Sequence, residues 1–480
     1  MKASPETMDP RAMPARERLM SLATGSEPPF TLAATLSEIS QLPFVESVLA
    51  LPDVHQKKDM EVPSSVAITT RDVIVPEFTS VAVNDGMGIV ATSLRASEMT
   101  ADRLATFFAR VNSNSARHFF DSNRYSLSSR ELRDVALRGG RAVLAKYGLD
   151  PAILDRMEDG GGPAAEIPGA GDLDLDAVPL QLLLTRFARS EMGLNFGGNH
   201  FLEVQVVDEV LDGEASRRWG LERDQVVVMY HLGPGPFSGT LLHHYSRRAK
   251  LYGRRVPLYF FSKLLFHYAQ RLGQGSLRRK WALHFRRNRW TALADSSQEG
   301  ILFLRALAMA TNFGYAYRLA TVKAIQDGLH ESLSPEVRGT LVCDISHNGI
   351  ARERNGGGGA WVARHNACRL EPGRPTIVAG SHDVPSYLGI GLDGSGGKYQ
   401  SYDHGAGTLI EKQRRSGRLT TSAGSVQKHV MTRGREGRLI AREEIPLRSS
   451  EPIDGLLSCL QRARILRPVI RLKPLGTLKN

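Results

Sequence analysis

Four histidines in this chain stand where a fold can present a side chain rigidly into a crevice. They are His200 in Gly197-Gly-Asn-His-Phe-Leu-Glu203, His231 in Tyr230-His-Leu-Gly-Pro-Gly235, His347 in Asp344-Ile-Ser-His-Asn348 and His404 in Asp403-His-Gly-Ala-Gly407. Each lies at the end of an apolar run or in a glycine-rich turn, where small neighbours let a ligand approach the backbone. Neutral imidazole is the commonest protein ligand for a divalent metal. Asn199 and Glu203 flank His200 and offer oxygen atoms to a metal or to the imidazole itself. No compact His-Glu-x-x-His pattern is present, so any metal site must be assembled by the fold from distant segments. Gly405 and Gly407 could turn backbone N–H groups toward a phosphate, and an ordinary turn would use the same residues.

The elements that must carry these residues are mixed. Residues 66–75 and 80–90 are short and β-branched, like strands, as are 202–210, 225–230, 340–345, 361–369 and 376–379. Residues 101–111, 132–147, 180–189 and 299–325 have helical periodicity, the last being the longest. Residues 159–176 are rich in glycine, proline and acid and read as a flexible loop, and Gly356–Gly359 as a turn or mobile tip. The lack of a repeat excludes a solenoid, and the lack of a regular βαβ rhythm argues against a doubly wound or barrel fold. It points to an α+β (mixed α/β) architecture, with central sheets surrounded by helices.

The 480 residues are 41% hydrophobic, enough for a large core. Three cysteines form no disulfide framework and fit a reducing cytoplasm. No apolar run approaches the ~18 residues of a membrane span, and the N-terminus lacks a secretory core. Residues 1–28 read as a flexible leader before the main domain, 29–480. The formal charge of +12 is concentrated: residues 225–294 hold thirteen Lys and Arg and no Asp or Glu. Within it, residues 246–290 (Arg247 to Arg289, with Tyr252, Tyr259 and Phe285, followed by Trp290) suggest a polyanion site, such as a nucleic acid would occupy. Charge would supply salt-dependent affinity and aromatic rings would stack unpaired bases. A solvated helical face would have the same composition.

Taken together, the segments resemble the RtcB family of RNA-splicing ligases from about residue 40 to the C-terminus. The resemblance runs in order through Leu51-Pro-Asp-Val-His55, Val83-Asn-Asp-Gly-Met-Gly88, Gly198-Asn-His-Phe-Leu-Glu-Val-Gln205, His231, Ser297-Gln-Glu-Gly300, Asn312-Phe313, Asp344-Ile-Ser-His-Asn348, Gly380-Ser381, Ser386-Tyr387, His404-Gly-Ala-Gly407 and Pro474-Leu-Gly-Thr-Leu-Lys479. It implies a GTP-dependent RNA ligase that uses manganese, one or two ions, to join 2′,3′-cyclic-phosphate or 3′-phosphate ends to 5′-hydroxyl ends in tRNA splicing or RNA repair. It implies that His404 is the nucleophile and is guanylylated. The implied metal ligands are His200, His231 and His347, with Asn84 at the place of the family's aspartate. The implied guanylate pocket comprises Asn199, His200, Phe201, Leu202, Glu203, His347, Asn348, Ala379, Gly380, Ser381, His382, Ser386, His404, Gly405, Ala406, Gly407 and Lys479. The implied partners are broken or spliced RNA, tRNA among them, and an activating protein.

The chain departs from the family pattern near the metals. Met87 replaces a bridging cysteine, and a neutral thioether prefers soft ions. Asn84 replaces the aspartate. Asp85 is adjacent, though alternation along a strand would turn it to the other face. Thr408 replaces an arginine, and Gln56-Lys57-Lys58 replaces a Gly-Lys-Gly segment. Two fewer negative ligands should weaken a two-manganese site. The alternatives are therefore a nucleotidyl-transferring relative with an altered metal site and a catalytically silent RNA-binding homologue.

Overall fold

The computed structural model describes residues 18–479 apart from 23–29, 58–59, 114–121, 163–173, 185, 191, 247–255, 270–276, 286–289, 356–357 and 432–438. Its architecture is α+β. The largest sheet has nine strands, seven of them in the spatial order Pro375–Val378, Ser386–Gly391, Leu466–Lys479, Phe201–Val210, Gln225–Leu232, Gly86–Arg95 and Gly339–Ser346. All neighbours along this path are antiparallel. The hairpin Thr421–Met431 with Leu439–Arg448 joins it by parallel pairing to Leu466–Lys479. A five-stranded sheet is formed by Leu19–Ser21, Val45–His55, Ser64–Thr70, Gly358–His365 and Asn348–Asn355.

The central strands are apolar on both faces because both faces are covered. Along Gln225–Leu232, Val226, Val228, Tyr230 and Leu232 enter one core cluster, whereas Val227 and Met229 enter the other. That is the two-residue alternation of a pleated strand. His231 shares the face of Val227 and Met229 and stands at the strand's end. The first face is covered by the helix Gln298–Ser332, 35 residues long and buried at nearly every position from Phe303 to Leu329. A helix apolar all round belongs inside a protein or a membrane. Here it crosses a core, and no helix among the described residues is long and apolar enough to span a bilayer.

Several expectations are corrected. Residues 19–21 of the expected leader form a strand, paired in parallel with Val48–Ala50; residues 1–17 and 23–28 lie outside the described residues. The strand expected over 80–90 begins only at Gly86. The helix expected over 132–147 stops at Arg138, because Gly139 takes a left-handed φ of 61°. A Cβ on Gly139 would stand 2.6 Å from the Gly161 carbonyl. The helix expected over 180–189 is Leu180–Leu184 followed by a 3-10 turn at Arg186–Ala188. Most of the expected loop over 159–176 lies outside the described residues, and Asp159–Gly161 belong to a short 3-10 turn.

Candidate metal centre and nucleotide pocket

The antiparallel register brings three of the four histidines to one end of the large sheet. Phe201 pairs with His231, and Met87 pairs with both His231 and Ile345. His200 and His347 each follow or precede these strands by a residue. The His231 Nε2 lies 3.4 Å from the His347 Nε2. The carboxylate they share is that of Asp85: its oxygens lie 3.4 Å from His200 Nε2, 3.7 Å from His231 Nε2 and 3.6 Å from His347 Nε2. Asp85 precedes the strand and follows Asn84, which has a left-handed φ of 60°. Strand alternation therefore does not govern it, and its side chain turns into the cluster.

The Asn84 side chain points elsewhere. Its amide donates to the Thr311 carbonyl at 2.6 Å, and its oxygen accepts from Arg318. The structure thus separates Asn84 from the histidines with which it was grouped and supplies Asp85 in its place. Met87 is fully buried in the second apolar cluster.

The cluster suits a cation. Asp85, His200 and His231 each offer a ligand atom within 4.8 Å of the others. Burial works against the Asp85 charge, yet His347 and His200 outweigh it and hold the carboxyl well below its ordinary range. Burial keeps His231 neutral, with its pKa well lowered, and neutral imidazole is the form that ligates. The buried Asp85 Oδ1 has no hydrogen-bond partner within the protein, as expected of an oxygen reserved for an ion.

His404 stands at the edge of this cluster. Its ring stacks on His347 at 4.6 Å and meets His231 at 5.9 Å. Its Nδ1 is 3.1 Å from the Asn366 carbonyl, which can only accept. The proton therefore sits on Nδ1 and the Nε2 lone pair is left for chemistry. Burial, then His347 and His231, lower the His404 pKa well below its usual value, so the ring is neutral. Asn348 braces this arrangement: its side-chain oxygen accepts from Asn366 N at 2.9 Å. The helix Gly407–Arg415 follows the His404 loop, and buried Asp53 caps it, accepting from Thr408 N at 3.3 Å and Leu409 N at 2.8 Å. Ala406 N donates to the Ala379 carbonyl at 3.0 Å. These amides are spent inside the protein, so a phosphate cradle at this loop is limited to Gly405 and Gly407.

Beside the cluster lies a polar floor. Glu203 is buried, accepting from Thr477 Oγ1 at 2.8 Å and from Gln205. Burial pushes its carboxyl up to about 7. Ser386 Oγ accepts from Gly380 N at 3.0 Å and from Gln205 Nε2 at 3.1 Å. Lys479 Nζ reaches the Gly198 carbonyl at 3.4 Å, which brings the last strand to the Asn199–His200 turn. Ser381 Oγ donates to Asp383, which Arg414 also grips, and His382 stands 3.9 Å from Asp383. Phe201 packs on His231 at 5.4 Å, and Asn199 is exposed. Leu202 faces away into the first core, whereas Ala379 and Ala406 are in the second.

The basic segment is only partly described. Lys263 donates to the Ser246 carbonyl and Lys280 lies 3.5 Å from Glu299; both are buried. Phe285 stacks on Trp281 at 4.9 Å and Trp290 meets Phe78 edge-on at 5.1 Å. These two aromatics are engaged within the protein. Arg247, Tyr252 and Arg289, and the side chains of Tyr259, Arg278 and Arg279, lie outside what is described.

Sequence reasoning gave no role to Lys57, Asn366, Asp53 or Arg318. Burial lowers the Lys57 pKa against the opposing pull of Asp85 and Asp53, and its charge contributes to lowering His231 and His404. Its one signal was its place two residues after His55. Asn366 carried none.

The protein is a mixed sheet-and-helix fold that sets a neutral histidine against three imidazoles and a carboxylate, a group that could hold a metal ion. A family model described as tRNA-splicing ligase RtcB matches residues 35–480, and the chain belongs to the RtcB family. It is 26% identical over 463 residues to the tRNA-splicing ligase RtcB of Thermococcus kodakarensis, covering 90% of this chain and 87% of that protein. It is 24% identical over 471 residues to the RNA-splicing ligase RtcB of Mycobacterium bovis, covering 92% and 99%. Against the tRNA-splicing ligase RtcB of Pyrococcus horikoshii, 26% identity extends over 83% of this chain but 44% of the relative's length.

Proposed function

We propose that this protein is an RNA ligase that captures GMP from GTP on His404 and uses it to join RNA 3′-phosphate or 2′,3′-cyclic-phosphate ends to 5′-hydroxyl ends. The carrying observation is a neutral His404 whose Nδ1–H is fixed on Asn366 O and whose ring stacks on the His347 edge of the cluster. His404 Nε2 forms a bond to the α-phosphorus of GTP as the bond to pyrophosphate breaks. At a cyclic end, water first opens the ring at phosphorus and the 2′-oxygen leaves, giving a 3′-phosphate; the guanylyl group then passes to the RNA 3′-phosphate, freeing the imidazole, and the 5′-hydroxyl displaces GMP. A covalent step of this kind splits one difficult transfer into easier ones. Asp85, His200, His231 and His347 would hold manganese, which when bound neutralises phosphate charge. Glu203, Ser386 and Lys479 line the place for the guanine nucleotide. Broken or spliced RNA, tRNA included, is the substrate class, and the cytoplasm is the compartment that the three free cysteines suit.

The test is incubation with α-labelled GTP and manganese, followed by a search for an acid-labile protein adduct that His404→Ala abolishes. An adduct with no RNA joining would replace this reading with that of a nucleotidyl-transferring relative; no adduct would leave an RNA-binding homologue. The role assigned to residues 246–290 is tested by Arg278→Glu/Arg279→Glu, which should lower RNA affinity and flatten its salt dependence by roughly two charges. Unchanged affinity and slope would remove that segment from the RNA path.

A further inference from the structure

We infer that Arg318 is a positioning residue for the metal site, holding Asn84 so that the carboxylate offered to a cation comes from Asp85, one residue beyond the family's aspartate. The inference rests on reading the cluster as a divalent-cation site.

Asn84 is a non-glycine residue with φ 60°, a conformation that carries a steric cost and needs support from its surroundings. That support is complete. Asn84 N donates to the Asn348 carbonyl at 2.8 Å and Asn84 Nδ2 to the Thr311 carbonyl at 2.6 Å. Arg318 donates through Nη1 to the Asn84 carbonyl and through Nη2 to Asn84 Oδ1 at 3.2 Å. Arg318 is itself fixed by Asp344, with Nε at 2.9 and 2.7 Å from the two carboxylate oxygens and Nη2 at 2.7 Å. Tyr230 closes the set with a 2.5 Å bond to Asp344. The Arg318 and Asp344 side chains are fully buried.

The consequence is directional. The position-84 side chain is committed to the long helix behind the sheet, so it cannot also reach the histidines. The left-handed turn sends the next side chain the other way, into the cluster. Were the turn to relax to extended backbone, alternation would place residue 85 on the opposite face. Arg318 touches Asn84 and Asp344 and acts on the cation only through this turn.

The measurement is Mn²⁺ affinity of the full chain without nucleotide, read from the EPR signal of free Mn²⁺, with circular dichroism and thermal midpoints reporting the fold. Asp85→Asn should weaken binding by at least about tenfold, and the exchange Asn84→Asp/Asp85→Asn, which restores a carboxylate at the family's position, should not recover it. Arg318→Lys should weaken binding by about 10- to 100-fold in folded protein. Should Arg318→Lys fail to fold, Asn84→Gly decides: it keeps the left-handed turn accessible, removes both side-chain tethers, and is expected to weaken binding similarly. The inference is overturned if the exchange variant binds Mn²⁺ within about threefold of the parent, or if folded Arg318→Lys or Asn84→Gly binds as the parent does. A folded parent that binds neither Mn²⁺ nor Co²⁺ overturns the cation reading itself, and this inference with it.

Discussion

Replacing Asp53 by Asn should make this protein relatively more stable as the pH rises. Asp53 sits 2% exposed at the start of the helix Gly407–Arg415. Burial pushes its carboxyl from 3.8 up to about 7, against the opposing pull of the Leu409 and Thr408 amides. The folded state thus holds this proton more tightly than the unfolded chain. Its contribution to stability is intact below pH ~4 and declines as the pH rises to about 7. At ~1.4 kcal/mol per unit, the decline between pH 5 and pH 8 is about 3 kcal/mol. Asparagine has no such proton. It also loses one of the two cap bonds, at a cost of about 1–3 kcal/mol that does not vary with pH. The observable is the difference in thermal midpoint between Asp53→Asn and the parent at each pH. For a chain of this length, at roughly 1–2 °C per kcal/mol, that difference should move toward the variant by about 3–6 °C from pH 5 to pH 8. A difference that is constant with pH, or that moves toward the parent, would refute the reasoning that burial outweighs the cap.

Two further outcomes follow from the site. Gly233→Ala would put a Cβ 2.8 Å from His200 Cε1 and 3.2 Å from its Nε2. The displaced imidazole should reduce metal affinity by about 10- to 100-fold in Mn²⁺ titrations, with the fold unchanged by circular dichroism. Burial pushes the Glu203 carboxyl up to about 7, so in the proposed nucleotide pocket, where the ionised form would be the better acceptor for a guanine edge, GTP affinity should rise from pH 6 to pH 8. Glu203→Gln should remove that rise in equilibrium binding; a slope that persists in the variant would place the titrating group elsewhere.

His231 and His347 were legible because each stands at the end of an apolar strand, and His200 because it stands just before one. His231 ends a strand in which Val226 to Met229 divide between two cores, so register alone carries it to Phe201 and Met87. The carboxylate was harder to read. Alternation turns Asp85 away from the cluster, and the rule fails because Asn84 leaves extended geometry under the hold of Arg318, which is 234 residues distant in sequence. No local pattern encodes that contact. The brace on His404 was hidden for the same reason: Asn366 acts through a backbone carbonyl, and any residue type can offer one. Phe285 and Trp290 have the composition of stacking residues but spend their faces on Trp281 and Phe78. Composition cannot distinguish a ring that waits for a base from one already covered.

The helix Gln298–Ser332 also has a mechanical meaning. Near its start, Glu299 receives Lys280 and His284 from the basic segment; further along, Thr311 and Arg318 grip Asn84. At 1.5 Å per residue, Glu299 and Arg318 are about 28 Å apart along one rod. Buried along most of that length, the rod has little freedom to bend. It therefore acts as a ruler that fixes the distance between the basic segment and the Asn84 turn.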